Sequence, residues 1–179
     1  MKYSLLCSGS KGNCFVLESD QTRIVIDCGS TKAYLSQSFH TIGVDYTRVD
    51  ALLLTHEHSD HIAQLKMFST VPIYAPFQLK NYDLLPFAPY QNMNIRDLQV
   101  TSIPLSHDTD INVGYILSDR THKVVYITDT GYVRERDFPY LRGADAYIFE
   151  SNHDPELLMQ SNRPYIVKQR ILSDRGHMS

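Results

Sequence analysis

Residues 52–61 read LLLTHEHSDH, an apolar run that ends abruptly in a packed set of metal-binding side chains. The run from Ala51 to Leu54 predicts a buried strand. His56 and His58 lie two apart, so in extended chain their imidazoles point to the same side and can share one cation. Asp60 and His61 follow where the chain is expected to turn into a helix, with Ser59 or Asp60 as its N-cap. That turn aims the second pair beside the first. Four nitrogen and oxygen donors in six residues suit two borderline divalent ions close together.

The rest of the composition says what this stretch is embedded in. With 179 residues, 42% hydrophobic and 21% charged, the chain has the content of one soluble globular domain spanning 1–179 rather than of a disordered segment. Its net charge is −3 with the histidines counted neutral. Bulk attraction to nucleic acid or to an anionic membrane is therefore absent, and an anionic substrate must be drawn by local features, metal ions among them. No apolar run reaches transmembrane length, and the opening MKYSLLCSG is too short for a signal peptide. Cys7, Cys14 and Cys28 fit neither a CxxC pattern nor a set of paired disulfides, and read as small core residues. A reducing, cytoplasmic setting without a membrane partner is the expectation. Oligomeric state is left open.

Working outward, residues 3–29 read as three strands, YSLLCS, CFVLES and RIVIDCG, with turns at Gly9–Asn13 and at Asp20-Gln21. SGSKGN lacks the spacing of a phosphate loop and is expected to be a hairpin, whose Ser8 or Asn13 could line the mouth of a site. Asp27 ends an apolar strand just before Gly29, where such a residue is often only a turn former. Residues 31–42 predict a short helix, with His40 at its surface. A helix of about two turns is expected after the histidines, through Ile62, Leu65 and Phe68, and a strand at VPIYAP. Residues 77–96, rich in proline and aromatics, are expected to be irregular or partly helical. LQVTSIPL, NVGYILSD, KVVYITDTG and ADAYIFES predict four more strands. Strands dominate and helices separate some of them, so sheet should pack on sheet with helices outside.

Two later strand ends each deliver a metal-competent side chain: His107 in SIPLSHD and Asp129 in VVYITDTG. Taken with SGSKGNC, VIDCG and THEHSDH, in this order, the chain resembles the metallo-β-lactamase superfamily, an α/β (α+β) fold with αββα layering. ESNHD and QRILSDRGHMS make it most similar to the bacterial YycJ/WalJ/VicX-type nuclease and phosphodiesterase branch. The resemblance implies a first metal held by His56, His58 and His107, and a second held by Asp60 and His61, with Asp129 bridging. It implies two divalent transition-metal ions (Zn or Mn, possibly Fe), a hydroxide between them as nucleophile, Asp60 orienting that hydroxide, and Asp27 behind the metal-binding loop. His177 would face the scissile phosphate as proton donor or charge stabiliser, at the start of a helix. His153 has two readings, a partner of the site or a plain loop residue, and His122 has no role.

The activity implied is 5′ to 3′ exonuclease action, with DNA favoured over RNA as substrate. The alternatives are a thioester or lactam hydrolase on the same fold and a non-catalytic metal-binding regulatory module. Arg163, Lys168, Arg170 and Arg175 form a basic segment that either follows a nucleic-acid backbone or is a solvated face. The family pattern continues beyond the Gly176-His177 motif to a further histidine that completes the second metal's ligands. The chain is therefore expected to lack the C-terminal part of the fold's second half, and to hold the first ion more firmly than the second.

Overall fold

The computed structural model describes residues 1–179. A strand buried on both faces reads as an unbroken apolar run, and β4 (Ala51–Leu53) shows why the LLL stretch is one. Ala51 and Leu53 face a core between two sheets, while Leu52 and Leu54 face a second core on the opposite side.

Around it, β1 (Lys2–Cys7), β2 (Cys14–Glu18), β3 (Arg23–Ile26), β4, β5 (Ile73–Ala75) and β6 (Leu85–Pro86) lie side by side in chain order. The first three are antiparallel and the pairs from β3 to β6 are parallel. The second sheet runs β7 (Asn92–Ile95), β8 (Leu98–Pro104), β9 (Val113–Ser118) and β10 (Lys123–Ile127), all antiparallel. Then β11 (Ala146–Phe149) lies parallel to β10 at the edge.

Phe15, Leu17, Ile24 and Ile26 of the first sheet meet Leu98, Val100, Tyr115, Leu117 and Tyr126 of the second, forming the inner core. The outer face of the first sheet is covered by α1 (Lys32–Thr41) through Leu35 and Phe39. The outer face of the second is covered by α3 (Phe138–Leu141) through Leu141. The order helix, sheet, sheet, helix is the expected αββα layering. Near the C-terminal end lie α4 (Pro155–Gln160), capped by Asp154 on Leu157 N–H, and α5 (Tyr165–Ile171).

Several expectations need correction. The helix after the histidines is broken: α2 (Ser59–Ile62) is one turn, followed by a separate 3-10 turn over Leu65–Phe68. The N-cap is His58, not Ser59 or Asp60, and it makes no side-chain cap bond. The chain there is held by other contacts, which makes capping dispensable. Within 77–96 the structure adds β6 and β7. The sequence NMNI hides β7 because this is an edge strand with only Ile95 fully buried. Its hairpin to β8 is set by a two-residue turn in which Arg96 takes the left-handed conformation, φ 51°. Cys14 and Cys28 are buried, whereas Cys7 is only half-buried.

The ends of β3 and β4 are knitted together by main chain. Asn13 N–H donates to Asp60 C=O at 2.8 Å, Gly29 N–H to Asn13 C=O at 2.9 Å and Cys28 N–H to His61 C=O at 2.7 Å. Gly29 is required there: a Cβ would stand 1.7 Å from the Asp60 carbonyl oxygen and 2.8 Å from Asn13 N. Both neighbours are backbone and neither can swing aside. Gly29→Ala is expected to cost about 3 kcal/mol, the upper part of the overpacking range. Thermal melting of the metal-free chain should fall by roughly 6–12 °C. An unchanged melting point would show the loop to be looser than these contacts require.

Candidate metal centre

Because β3 and β4 run parallel, the residues after them emerge at the same sheet end, Asp27 from one and Thr55-His56 from the other. Asp27 sits in the left-handed region at φ 59°, a conformation Asp tolerates better than most residues. Its Oδ1 accepts from Thr55 N–H at 2.9 Å, and its Oδ2 lies 2.8 Å from His61 Nδ1. The Thr55 hydroxyl lies 3.0 Å from His56 Nδ1 and 3.2 Å from His61 Nδ1. All four residues are fully buried. Asp27 thus fixes one nitrogen of His61 and leaves Nε2 to face Asp129 and Asn13.

His61 Nε2 stands 2.7 Å from Asp129 Oδ2 and 2.9 Å from Asn13 Nδ2. Burial opposes charge on this ring, but Asp27 and Asp129 outweigh it and hold its pKa up at about 10. His56 is the opposite case. Burial first, then the neighbouring His61, pushes it down to about 2, so it stays neutral. Its Nε2 is buried without a hydrogen-bond partner. An orphaned buried nitrogen is costly unless something occupies its lone pair, and a metal ion does so.

Three groups of donors come within 4.8 Å of one another: His56, His58 and His107; His56, His61 and Asp129; His107, Asp129 and His177. His107 arrives from the end of β8 and Asp129 from the end of β10, the latter again left-handed at φ 52°. Burial opposes the charged form of Asp129, but its hydrogen bond to His61 and the nearby histidines hold its carboxyl well below the usual range. Asp60 lies farther off, its Oδ2 3.8 Å from His61 Nε2, and lines the cavity without joining a three-donor group.

His177 comes into the same space from the far end of the chain. Its Nδ1 is 2.5 Å from Glu150 Oε1 and 3.4 Å from Asp129 Oδ1. The Glu150 hydrogen bond raises its pKa, with burial working the other way. Glu150 was missed in the sequence. The available signal was its place in IFES, directly after the β11 strand, the position that Asp27 holds after β3.

The structure does not bring His153 to the cluster. Its ring nitrogens have no hydrogen-bond partner and it lies outside the cavity lining. His40 and His122 are exposed elsewhere. The basic segment is broken up. Lys168 is buried and donates to Met159 C=O at 2.7 Å, Arg175 donates to His107 C=O at 3.1 Å, and Arg170 pairs with Asp108. Three of the four cations of this segment are therefore engaged by neighbouring carbonyls and a carboxylate.

The cavity over these groups has a volume of about 550 Å³, and Ser8 and Asn13 do line it. Its carboxylates are Asp60, Asp129 and Glu150, against Arg170 as the one permanent cation in the lining. Such a lining repels anions unless cations are bound within it. The fold and its His/Asp clusters together imply divalent-metal binding. Asp27→Ala is expected to weaken that binding about 10–100-fold, the usual cost of losing a partner behind a ligand. Titration calorimetry measures this directly, and unaltered affinity would make Asp27 a turn former alone. No helix is long and apolar enough to cross a membrane.

Comparison with known proteins places this geometry. Residues 22–179 match the family described as beta-lactamase superfamily domain. The chain is 34% identical over 192 residues to exodeoxyribonuclease YycJ of Bacillus anthracis, covering 99% of this chain and 73% of that one. It is 32% identical over 196 residues to exodeoxyribonuclease WalJ of Streptococcus pneumoniae, covering 99% and 72%. Among solved structures, the human short form of tRNase Z superposes with a TM-score of 0.73 at 16% identity, over 100% of this chain and 85% of that one. That last likeness speaks for the fold alone. Layering, donor clusters and near-full-length identity agree: the chain belongs to the β-lactamase superfamily, on its metallo-hydrolase side, alongside the YycJ/WalJ exodeoxyribonucleases.

Proposed function

We propose that this protein is a dinuclear metal-dependent phosphodiester hydrolase that degrades DNA from an end, 5′ to 3′. The observation carrying this reading is the convergence of His56, His58, His61, His107 and Asp129 at one end of the sandwich, at the floor of a cavity whose lining includes the carboxylates of Asp60, Asp129 and Glu150. The names of the YycJ and WalJ relatives supply the substrate class. In this reading His56, His58 and His107 hold one ion, His61 and Asp60 the other, and Asp129 serves both.

Bound ions supply an activated water and neutralise phosphate charge. The chain's own residues do the rest. Asp27 fixes the ring of His61, and Thr55 steadies His56 beside it. Asp60, on the cavity wall, accepts a hydrogen bond from the attacking water. His177, anchored at Nδ1 by Glu150, presents Nε2 to the leaving oxygen and delivers a proton there. The ions are Zn or Mn, for which imidazole and carboxylate donors are both suitable. With its three cysteines unpaired, the protein is assigned to the cytoplasm.

The test is hydrolysis of DNA and RNA labelled at either end, with the metal-stripped chain and after return of Zn²⁺ or Mn²⁺. Metal-dependent release of mononucleotides from the 5′ end of DNA is expected. Turnover of a thioester or cephalosporin with intact DNA would overturn the reading in favour of another hydrolase on this fold.

A further inference from the structure

One carboxylate at the centre belongs to none of the roles above. Asp108 follows His107 directly, and its Oδ1 lies 3.2 Å from His107 Nε2 and 3.7 Å from His58 Nε2. That oxygen is buried and has no hydrogen-bond donor. The other oxygen, Oδ2, is taken by Arg170, whose Nε donates at 2.5 Å and whose Nη2 closes the fork. A guanidinium fork of this kind fixes the plane of a carboxylate.

The donor and acceptor roles at this oxygen close only with a positive centre between the two groups, a proton on His107 or a metal ion. His107 Nδ1 lies 3.2 Å from Gly176 C=O, a carbonyl that can only accept, so Nδ1 carries the proton. In the neutral ring, Nε2 is then a lone pair facing a carboxylate oxygen at 3.2 Å. In that state two acceptors face each other, and a metal ion between them satisfies both. The Nε2 of His56, fully buried and likewise unpartnered, belongs to the same group as His58 and His107. Donors sharing an ion at bonds of about 2.0–2.2 Å stand roughly 3.0–3.7 Å apart. The two Asp108 separations fall in that range.

We propose that Asp108 is a further ligand of the first ion, adding a carboxylate oxygen to His56, His58 and His107, with Arg170 holding it in register. This rests on the metal-centre reading above. The consequence concerns which metal is chosen. Three imidazoles suit Zn, whereas an additional hard oxygen donor favours Mn or Fe and a higher coordination number. Asp108 is thus a determinant of metal selectivity that the six donors read from the sequence do not include.

The experiment is titration of the metal-free chain and of Asp108→Asn with Mn²⁺ and Zn²⁺ separately, followed by calorimetry. Circular dichroism serves as the check on folding. The expected result is a fall of at least about 10-fold in Mn²⁺ affinity at one site, with a smaller fall for Zn²⁺. Affinities within twofold of the parent for both ions would overturn the proposal and reduce the Asp108–His107 approach to an ion pair. Absence of metal binding in the parent chain would instead defeat the metal-centre reading beneath it. Crystals of the parent chain soaked in Mn²⁺ give a second readout that needs no variant. An anomalous peak bonded to Asp108 Oδ1 upholds the assignment. A peak bonded to the three histidines alone, with both Asp108 oxygens turned to Arg170, overturns it.

Discussion

Asp129→Asn is expected to reduce hydrolysis to background and to leave the chain holding no more than one ion. Asp129 is the one carboxylate in the three donor groups and belongs to two of them, within reach of His56 and His61 on one side and of His107 and His177 on the other. The asparagine variant keeps the size of the side chain and tolerates the left-handed backbone at φ 52°, so loss of charge is the main change. An alanine there would add backbone strain of about 1–2 kcal/mol and blur the reading. The amide leaves His61 Nε2 without its anionic neighbour at 2.7 Å. Elemental analysis and the DNA assay, run on the same preparation, check both halves. Two retained ions with undiminished turnover would remove Asp129 from the centre.

His177→Ala is expected to act differently. Turnover on phosphodiesters should fall by about 10²–10⁴-fold, the usual worth of general acid–base assistance, while metal content stays near that of the parent. The reason lies in the partners of the ring. Its Nδ1 is engaged by Glu150 at 2.5 Å, which places it as a proton carrier beside the ions. A fall in metal content would make His177 a ligand through the group it forms with His107 and Asp129. Unchanged turnover would make it a bystander.

The two variants depend on parts of the chain that were unequally legible. The LLLTHEHSDH stretch announced both the strand and the donors, because a strand buried on two faces leaves an unbroken apolar run and the histidines follow within two residues. Asp27, His107 and Asp129 were legible for a related reason: each closes an apolar strand, and parallel strands β3 and β4 deliver their ends to one level. Glu150 has the same placement after β11, yet the half-buried alternation of AYIF makes that strand's end less conspicuous. Asp108 was hidden because a residue beside a ligand is ordinarily turned away from the ligand's partner. Only Arg170, distant in sequence, turns it inward. The fate of the basic segment, which the sequence leaves between a backbone-following stretch and a solvated face, was hidden for the same reason. Charge along a chain does not say which cations are spent on local carbonyls and carboxylates. The break between α2 and the 3-10 turn was likewise invisible, since Ile62, Leu65 and Phe68 suit either geometry.

The central claim is a two-ion centre built by these residues, and the number of ions per chain tests it most directly. The metal-free chain is loaded with Mn²⁺ or Zn²⁺, freed of excess, and measured by elemental analysis before and after dialysis against a mild chelator. Two ions per chain are expected at first. The one held by His56, His58 and His107 should be retained longer than the one held by His61 and Asp60. His56→Ala should remove the retained ion, and His61→Ala the labile one. A chain that binds a single ion, or that keeps both when His56 and His61 are replaced, would contradict the account.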